Sequence, residues 1–555
     1  MSRARPRFSS CDFFRLSYMM IAESVTPSCL VERNASFFAC RWIRAVRWSS
    51  LAEVGALRDQ GRLTPASRLP GIQTPRIREE TPDCLVETAG REVGTLVLKM
   101  HIIKELKTIV GREHVAVERQ DLVCYGYDAT QMEYLPDVVV FPADSVEVSR
   151  IMALANRERI PVFPRGAGSG FSGGSLPKGG GIVLVTTRMN RILRIDTENM
   201  IAVVEPGVVT GDLQSAVENV GLFYPPDPAS LHFSTLGGNV AECAGGPRAV
   251  KYGVTKDFVL GLEVVLPRGE IITTGGETFK GVVGYDLTKL LCGSEGTLGI
   301  ITRIVLRLLP LPETRKTMLA MFDSIDGAAA AVATIIRGRI IPATLEFMDH
   351  SAIACVEGQF RLGMPGHARA ALLVELDGDR ELVERQAEDI CVLISHLGLI
   401  EFRAAADAAE AETLWKARRL ISPALRKVNP DKVNEDIVVP RSRIPDIIRR
   451  IDEIRETYQI PIVNFGHAGD GNIHVNIMID RSMPGQAEKA DRAVRDIFRA
   501  ALDMGGSMSG EHGVGLSKAP YVAMELTPAQ IGAMKAIKKA LDPNNILNPG
   551  KIFPE

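Results

Sequence analysis

Three of the nine histidines in this chain, His467, His474 and His512, fall within 46 residues of one another, each in a glycine-rich setting. The first two bracket Ala468-Gly469-Asp470-Gly471-Asn472-Ile473, and the third follows Glu511 in Ser509-Gly510-Glu511-His512-Gly513-Val514-Gly515. Two imidazoles and a carboxylate suit a divalent metal that keeps a coordination position open. Such an ion polarises a hydroxyl and a carboxylate on one small molecule. A further histidine beside it is a natural acceptor for the hydroxyl proton. For any one of these histidines a hydrogen-bonded place in a loop is the commoner fate. Three together with Glu511, and with Asp470, Asn472 and Asn476 nearby, read as a site. Spacing alone does not separate ligand from base.

The elements that must position these groups are legible in outline. Val463 to Phe465 and Ile473 to Ile479 read as strands, so His474 and Asn476, two apart, share a face. The stretch Ala408 to Val428 reads as a charged helix carrying Trp415, Arg418 and Arg419. Its pattern alone gives Arg418 a solvated face, although an arginine reaching a pocket suits a carboxylate through its forked donors. Ser422, four residues on, shares that face.

The first half is organised around Pro164-Arg165-Gly166-Ala167-Gly168-Ser169-Gly170-Phe171-Ser172-Gly173-Gly174. Glycine at this density exposes backbone N–H groups and permits positive φ, and with Arg165 it forms a cradle for a phosphate or pyrophosphate. Gly168, Gly170 and Gly173 spell GxGxxG, but that dinucleotide fingerprint must open a helix. Here Pro177 and a glycine triplet follow, so the loop runs from strand to strand. Further glycine clusters at 235–239, 243–246 and 293–299, and the stiff Tyr224-Pro225-Pro226-Asp227-Pro228, indicate close backbone approach to a large ligand. Between them the pattern predicts strands at 138–141, 160–163, 182–186 and 201–205. It predicts helices over Ile102–Val110, Ser145–Arg159 with Asp144 as N-cap, and Thr210–Val220 capped by Thr210 or Asp212. Pro310 and Pro312 mark a linker. Beyond it, strands at 317–322 and 343–348 and helices at Ile325–Ile336, 381–397, Arg443–Tyr458, Gln486–Met504 and Pro528–Leu541 complete an α+β chain.

With 555 residues the chain is expected to hold more than one domain. The boundaries predicted are 1–99, 100–312 and 313–555. Residues 1–99 carry fourteen arginines and one lysine against ten acidic residues, with no amphipathic period. They read as a non-native or disordered extension, with the true start at Met100. The net charge of −2 leaves no nucleic-acid footprint. No apolar run reaches the ~18 residues of a membrane helix. The nine cysteines contain no CxxC pair, so neither a zinc ribbon nor an iron–sulfur cradle is present. Reduced thiols in a cytoplasmic protein, membrane-associated only through a partner, are the expectation.

At this point the residues support a family resemblance. PRGAGSGFSGG, PPDP, LGGNVAECAGGPRAVKYG and CGSEGTLGI, in that order between Pro136 and Leu309, resemble the FAD-binding domain of the vanillyl-alcohol oxidase/para-cresol methylhydroxylase (PCMH) superfamily. GHAGDGNIHVN, SGEHGVG and DPNNILNPGK resemble the cap and C-terminal portion of its D-2-hydroxyacid dehydrogenase branch, the branch of glycolate oxidase FAD subunits and D-lactate dehydrogenases. The likeness spans Met100 to Phe553. It implies a PCMH-type FAD-binding domain of two subdomains, followed by an α+β cap and C-terminal FAD-linked oxidase domain. It implies FAD contacts from Pro164, Arg165, Gly166, Ala167, Gly168, Ser169, Gly173 and Gly174. Further contacts would come from Pro226, Asp227, Thr235, Gly237, Gly238, Asn239, Gly245, Gly246, Tyr252 and Gly253, and from Glu295, Gly296, Thr297, Gly299, Ile300 and Asn548. Relatives with covalent flavin use a histidine in the pyrophosphate loop; this loop has none, so the FAD is expected to be noncovalent.

Carried over residue by residue, His467, His474 and Glu511 would ligate a divalent metal, zinc or manganese, and His512 would be the base. Asn476 would orient substrate, while Arg418 and Ser422 would grip its carboxylate. Relatives specific for longer diacids carry a lysine six residues before the proline that here is Pro440. Asn434 stands there, with Lys432 two residues earlier. The implied activity is therefore oxidation of glycolate or D-lactate rather than D-2-hydroxyglutarate, with an ether-lipid synthase of the same superfamily or a noncatalytic electron-transfer subunit as alternatives. The electrons would leave to an iron–sulfur partner subunit, an electron-transfer flavoprotein or a quinone.

Overall fold

The computed structural model describes residues 100–360 and 363–554; the extension expected over 1–99 lies outside the described residues. The first layer is a small sheet of β1 (Val115–Ala116), β2 (Val138–Val140), β3 (Val162–Arg165) and β4 (Ile182–Val185), in the order β1-β2-β4-β3. Its three longer strands run parallel. β2 and β4 are apolar along their whole length, and β3 is apolar up to Arg165, as strands covered on both faces must be. The helices Met100–Val110 and Ser145–Glu158 pack against it through Leu106, Ile151 and Met152. Asp144 caps the second helix by accepting the Glu147 N–H at 2.9 Å.

The second layer is antiparallel, in the order β5-β6-β10-β8-β9, from β5 (Ile192–Asp196), β6 (Ile201–Val204), β8 (Val259–Val265), β9 (Ile271–Gly275) and β10 (Ile300–Arg307). A two-stranded pair joins β7 (Leu222–Phe223) to β11 (Leu309–Pro310), so the segment expected as a bare linker is itself hydrogen-bonded. Helix Thr210–Glu218 has Val209 as its N-cap with no side-chain bond. Neither Thr210 nor Asp212 caps it. The Thr210 hydroxyl lies 3.2 Å from the Ser234 carbonyl instead, tying the helix to the segment before Thr235.

The third layer is a seven-stranded antiparallel sheet. Its strands are β12 (Thr314–Phe322), β13 (Thr344–Asp349), β14 (Ala370–Gly378), β15 (Leu399–Ala404), β16 (Asp431–Val438), β17 (Ile462–His467) and β18 (Asn472–Ile479), in the order β15-β12-β14-β13-β17-β18-β16. Helices Ile325–Arg337, Arg380–Ile394, Ile444–Tyr458 and Gln486–Asp503 cover one face with aliphatic side chains. On the other face, helices His350–Phe360 and Ala408–Ala424 pack over Met321, Leu373, Phe465 and Met478. The charged helix is thus not a solvated rod, and Arg418 is buried within its inner stripe.

The chain closes on itself. After helix Pro528–Leu541 the backbone returns to β3, where the Val162 N–H donates to the Ile546 carbonyl and the Asn548 N–H donates to the Val162 carbonyl, each at 2.7 Å. Lys538 holds this return with bonds to the Thr297 and Leu547 carbonyls at 2.8 and 2.7 Å.

Candidate active site

The hairpin of β17 and β18 sets the metal-type cluster. His467 pairs with Asn472 across the ladder and Phe465 with His474. The turn between them needs Gly471 at φ +90°, where a Cβ would lie 2.0 Å from the Val439 carbonyl oxygen; only glycine fits there. The two imidazole Nε2 atoms come within 3.3 Å of each other, and each lies 3.5 Å from Glu511 Oε1. These three donors form the only group among the described residues whose ligand atoms converge in this way.

Glu346, on the neighbouring β13, backs the cluster. Its Oε1 lies 2.6 Å from His467 Nδ1 and its Oε2 lies 2.5 Å from Arg418 Nη2. A carboxylate behind a ligating imidazole fixes ring and tautomer. Burial opposes charge on His467, but Glu346 and Glu511 more than offset it and hold its pKa well above the ordinary imidazole value. Burial pushes His474 well below that value, helped by His467, His512 and Arg418. A neutral imidazole is the form that ligates a metal.

Asp436 organises the other side. It sits on β16 opposite His474, and its Oδ2 accepts the N–H groups of Gly510, Glu511 and His512 at 2.9, 2.6 and 2.9 Å. One carboxylate thus fixes three consecutive residues of the loop. Burial works against its charge, yet His512, Lys518 and the Glu511 N–H keep Asp436 far below the usual carboxylate range. Asp436 Oδ1 lies 3.5 Å from His512 Nδ1. The His512 ring is sandwiched between Phe171, at 5.0 Å between centroids, and His474, at 5.3 Å. Burial lowers the His512 pKa.

The three residues expected at substrate differ in their surroundings. Arg418 lines the cavity beside the cluster, stacks over Phe465 at 4.7 Å and has no hydrogen bond at Nε. Ser422 also lines that cavity and accepts from Lys432 Nζ at 2.6 Å. Asn476 is fully buried behind Asn434: its amide donates to the Val463 and His474 carbonyls, and its Oδ1 accepts from Asn434 Nδ2 at 2.7 Å. Asn434, not Asn476, lines the cavity. Burial pulls the Lys432 ammonium down to about 8.

A second cavity adjoins the first, and Phe171, Glu511 and His512 line both. Its wall contains Pro164 to Ser169, Gly174, Thr235, Gly237, Gly238, Asn239, Gly245, Glu295, Gly296, Gly299 and Ile300, as expected for the cofactor. Gly173, Gly246, Gly253, Pro226, Tyr252, Thr297 and Asn548 are not in that wall. Asn548 supports it from behind, while Tyr252 reaches the seven-stranded sheet. The Asn548 amide donates to the Gly174 and Glu295 carbonyls at 2.9 and 2.7 Å, and Tyr252 donates to Asp377 on β14 at 2.8 Å. Asp227 lines the substrate-side cavity instead, where burial raises its carboxyl to about 7 against the pull of Arg248.

The wall suits a dinucleotide diphosphate. Among the described residues the N–H groups of Ala167, Gly168 and Ser169 have no protein partner, and Thr235 Oγ1 is buried without one. Gly168, at φ +70°, leaves room for the Arg165 guanidinium that a Cβ would strike.

Glu346, Asp436 and Phe171 are the functional neighbours that sequence reading left unassigned. Phe171 stood within a quoted motif, but the two carboxylates lie in strands with no motif around them.

The fold and the two joined cavities are those of an FAD-linked oxidase, and the chain belongs to that family. Residues 136–275 match the FAD binding domain and residues 311–552 match the FAD linked oxidases, C-terminal domain. Among individual relatives, glycolate oxidase subunit GlcD of Bacillus subtilis (strain 168) is 47% identical over 451 residues, covering 81% of this chain and 96% of that protein. D-lactate dehydrogenase of Anaerostipes hadrus is 36% identical over 471 residues, covering 82% and 97%. The fold is shared with p-cresol methylhydroxylase, at TM-score 0.69 and 19% identity over 82% of this chain and 96% of that one. It is also shared with alkyldihydroxyacetonephosphate synthase, at TM-score 0.65 and 21% identity over 84% and 90%. The resemblance read from the motifs is borne out. The chain is an oxidoreductase that binds FAD.

Proposed function

We propose that this chain oxidises a small 2-hydroxyacid, glycolate or D-lactate, to the 2-oxoacid. The observation that carries this is the placement of His512 and Glu511 in the shared wall of the two cavities, with His467 and His474 alongside. Bound noncovalently, FAD supplies the two-electron acceptor. His467, His474 and Glu511 would hold a divalent ion, zinc or manganese, which supplies positive charge beside the substrate oxygens.

The chain's own groups do the rest. His512 takes the hydroxyl proton: its Nδ1 faces Asp436, so Nε2 is the basic nitrogen. Asp436 stabilises the imidazolium that results and, through its grip on three N–H groups, keeps ring and Glu511 in register. Arg418 spends one nitrogen on Glu346 and retains donors for the substrate carboxylate. Ser422, held by Lys432, and Asn434, held by Asn476, complete the polar wall. Electrons then pass to a separate acceptor, an iron–sulfur subunit or an electron-transfer flavoprotein. This accords with relatives that carry the name of a subunit and with the absence of a CxxC pair in the sequence. No helix among the described residues is long and apolar enough to cross a membrane.

The test is anaerobic mixing of the FAD-loaded protein with D- and L-2-hydroxyacids while flavin absorbance is followed. Glycolate or D-lactate should bleach the wild type, and His512→Ala should slow bleaching by about 10²–10⁴-fold with FAD retained. Bleaching of the variant at the wild-type rate would remove His512 from the role of base. A wild type that no 2-hydroxyacid bleaches would favour a synthase-like use of the same fold.

A further inference from the structure

Glu242 belongs to none of the motif roles above, yet it lines the FAD cavity at the end of helix Leu236–Glu242. Two glycines bracket its carboxyl. A Cβ on Gly174 would lie 2.7 Å from Oε1, and one on Gly513 would lie 2.3 Å from Oε2. Glu242 is therefore wedged between the phosphate-cradling loop and the loop that carries Glu511 and His512. The same point at Gly513 lies 3.1 Å from Glu295 Oε1, so a second carboxylate stands close by.

The two carboxyls are provisioned differently. Glu295 accepts the Val514 and Gly515 N–H groups at 2.8 and 2.6 Å, donors that favour its anion. Glu242 Oε2 is sealed from solvent and has no hydrogen-bond partner. Neighbouring carboxylates do not both ionise readily, and the one without donors keeps the proton. The surrounding charges agree. Burial, then Glu295, Asp128 and Asp436, drive the Glu242 pKa well above the usual carboxyl range, with Lys518 pulling the other way. Burial raises the Glu295 pKa as well, but there the two N–H groups, Lys518 and Lys551 offset part of it.

We propose that Glu242 holds FAD as a neutral carboxylic acid, donating a hydrogen bond to the cofactor, and that FAD retention is lost as Glu242 ionises. The loop beside it offers N–H groups to a diphosphate anion, and an ionised Glu242 would set a negative charge against that anion. The inference rests on the assignment of this cavity to FAD.

The experiment is FAD binding to the stripped full chain, read by quenching of flavin fluorescence, as a function of pH. The wild type should lose about tenfold in affinity for each pH unit above the Glu242 pKa. Glu242→Gln keeps an N–H donor and carries no charge, so its affinity should stay level across the same range. A wild type with level affinity, or a variant that declines in parallel with it, overturns the inference while leaving FAD binding intact. Failure of the wild type to bind FAD at any pH removes the cofactor assignment and the inference with it. A measurement on the wild type alone covers a variant that does not fold. Infrared difference spectra between the stripped and FAD-loaded protein at neutral pH should show a protonated-carboxyl band perturbed by the cofactor, and its absence overturns the inference.

Discussion

The cluster of His467, His474 and Glu511 was visible as residue types and glycine context, and the structure brings these groups together. What no local pattern could reveal is Glu346, which reaches His467 from 121 residues away. It lies in Thr344-Leu345-Glu346-Phe347-Met348, a stretch that reads only as a strand with one charge in it. Burial makes it powerful: a fully buried carboxylate must be paired, and this one is shared by an imidazole and a guanidinium. Arg418 was misread by helix pattern for the same reason, because its partner is on another element. Glu346→Gln should weaken metal binding by about 10–100-fold, read by competition with a chromophoric chelator. It should also free Arg418. Unchanged metal affinity would show that Glu346 serves Arg418 alone.

Elements that carry the site were unevenly legible. The β17–β18 hairpin announced itself through alternating apolar residues around a glycine turn. Strand β16 did not. Asp431-Lys432-Val433-Asn434-Glu435-Asp436 has the composition of a loop, and it is a strand because β18 supplies a full ladder on one side. Its residues 432, 434 and 436 fall on one face. That face builds the polar wall: Lys432 on Ser422, Asn434 on Asn476, Asp436 under the histidine loop. A strand whose polar residues are held by site partners defeats propensity, and that is why this one was missed. At this scale the hairpin turn is the point of greatest sensitivity. Gly471→Ala must abandon φ +90° and clear the Val439 carbonyl. The expected cost is about 1–3 kcal/mol, seen as a lower unfolding midpoint together with reduced metal content. An unaltered midpoint would mean the turn relaxes freely.

For the molecule as a whole, the motifs gave the α+β class and the order of its halves, while the manner of their joining was hidden. Lys251 and Tyr252 of the first half reach Asp377 on β14, and the C-terminal return crosses to β3. Lys551 belongs to this return and is buried, donating to the Leu176 carbonyl at 2.6 Å. Burial lowers its pKa to about 7 from the ordinary 10.5, against the pull of Asp128 and Glu295. Below that folded value the ammonium is charged in both states, and its burial penalises folding. Between about pH 7 and 10.5 the folded state sheds the proton first, so the unfolded state binds more protons and stability rises with pH. Lys551→Met should remove this rise from the apoprotein, measured by denaturant unfolding across that window; an identical slope in both proteins would refute it. The return of residues 546–551 has one more effect. The cradle loop and Glu295 are pinned by Asn548, which follows Glu295 by 253 residues. Gly174 and Glu295 leave the ribosome long before Asn548 does, so the nucleotide cradle stays unfinished until the second half of the chain has been made. Cofactor capture therefore follows synthesis of the second half, and a chain broken off before Asn548 lacks a finished flavin site.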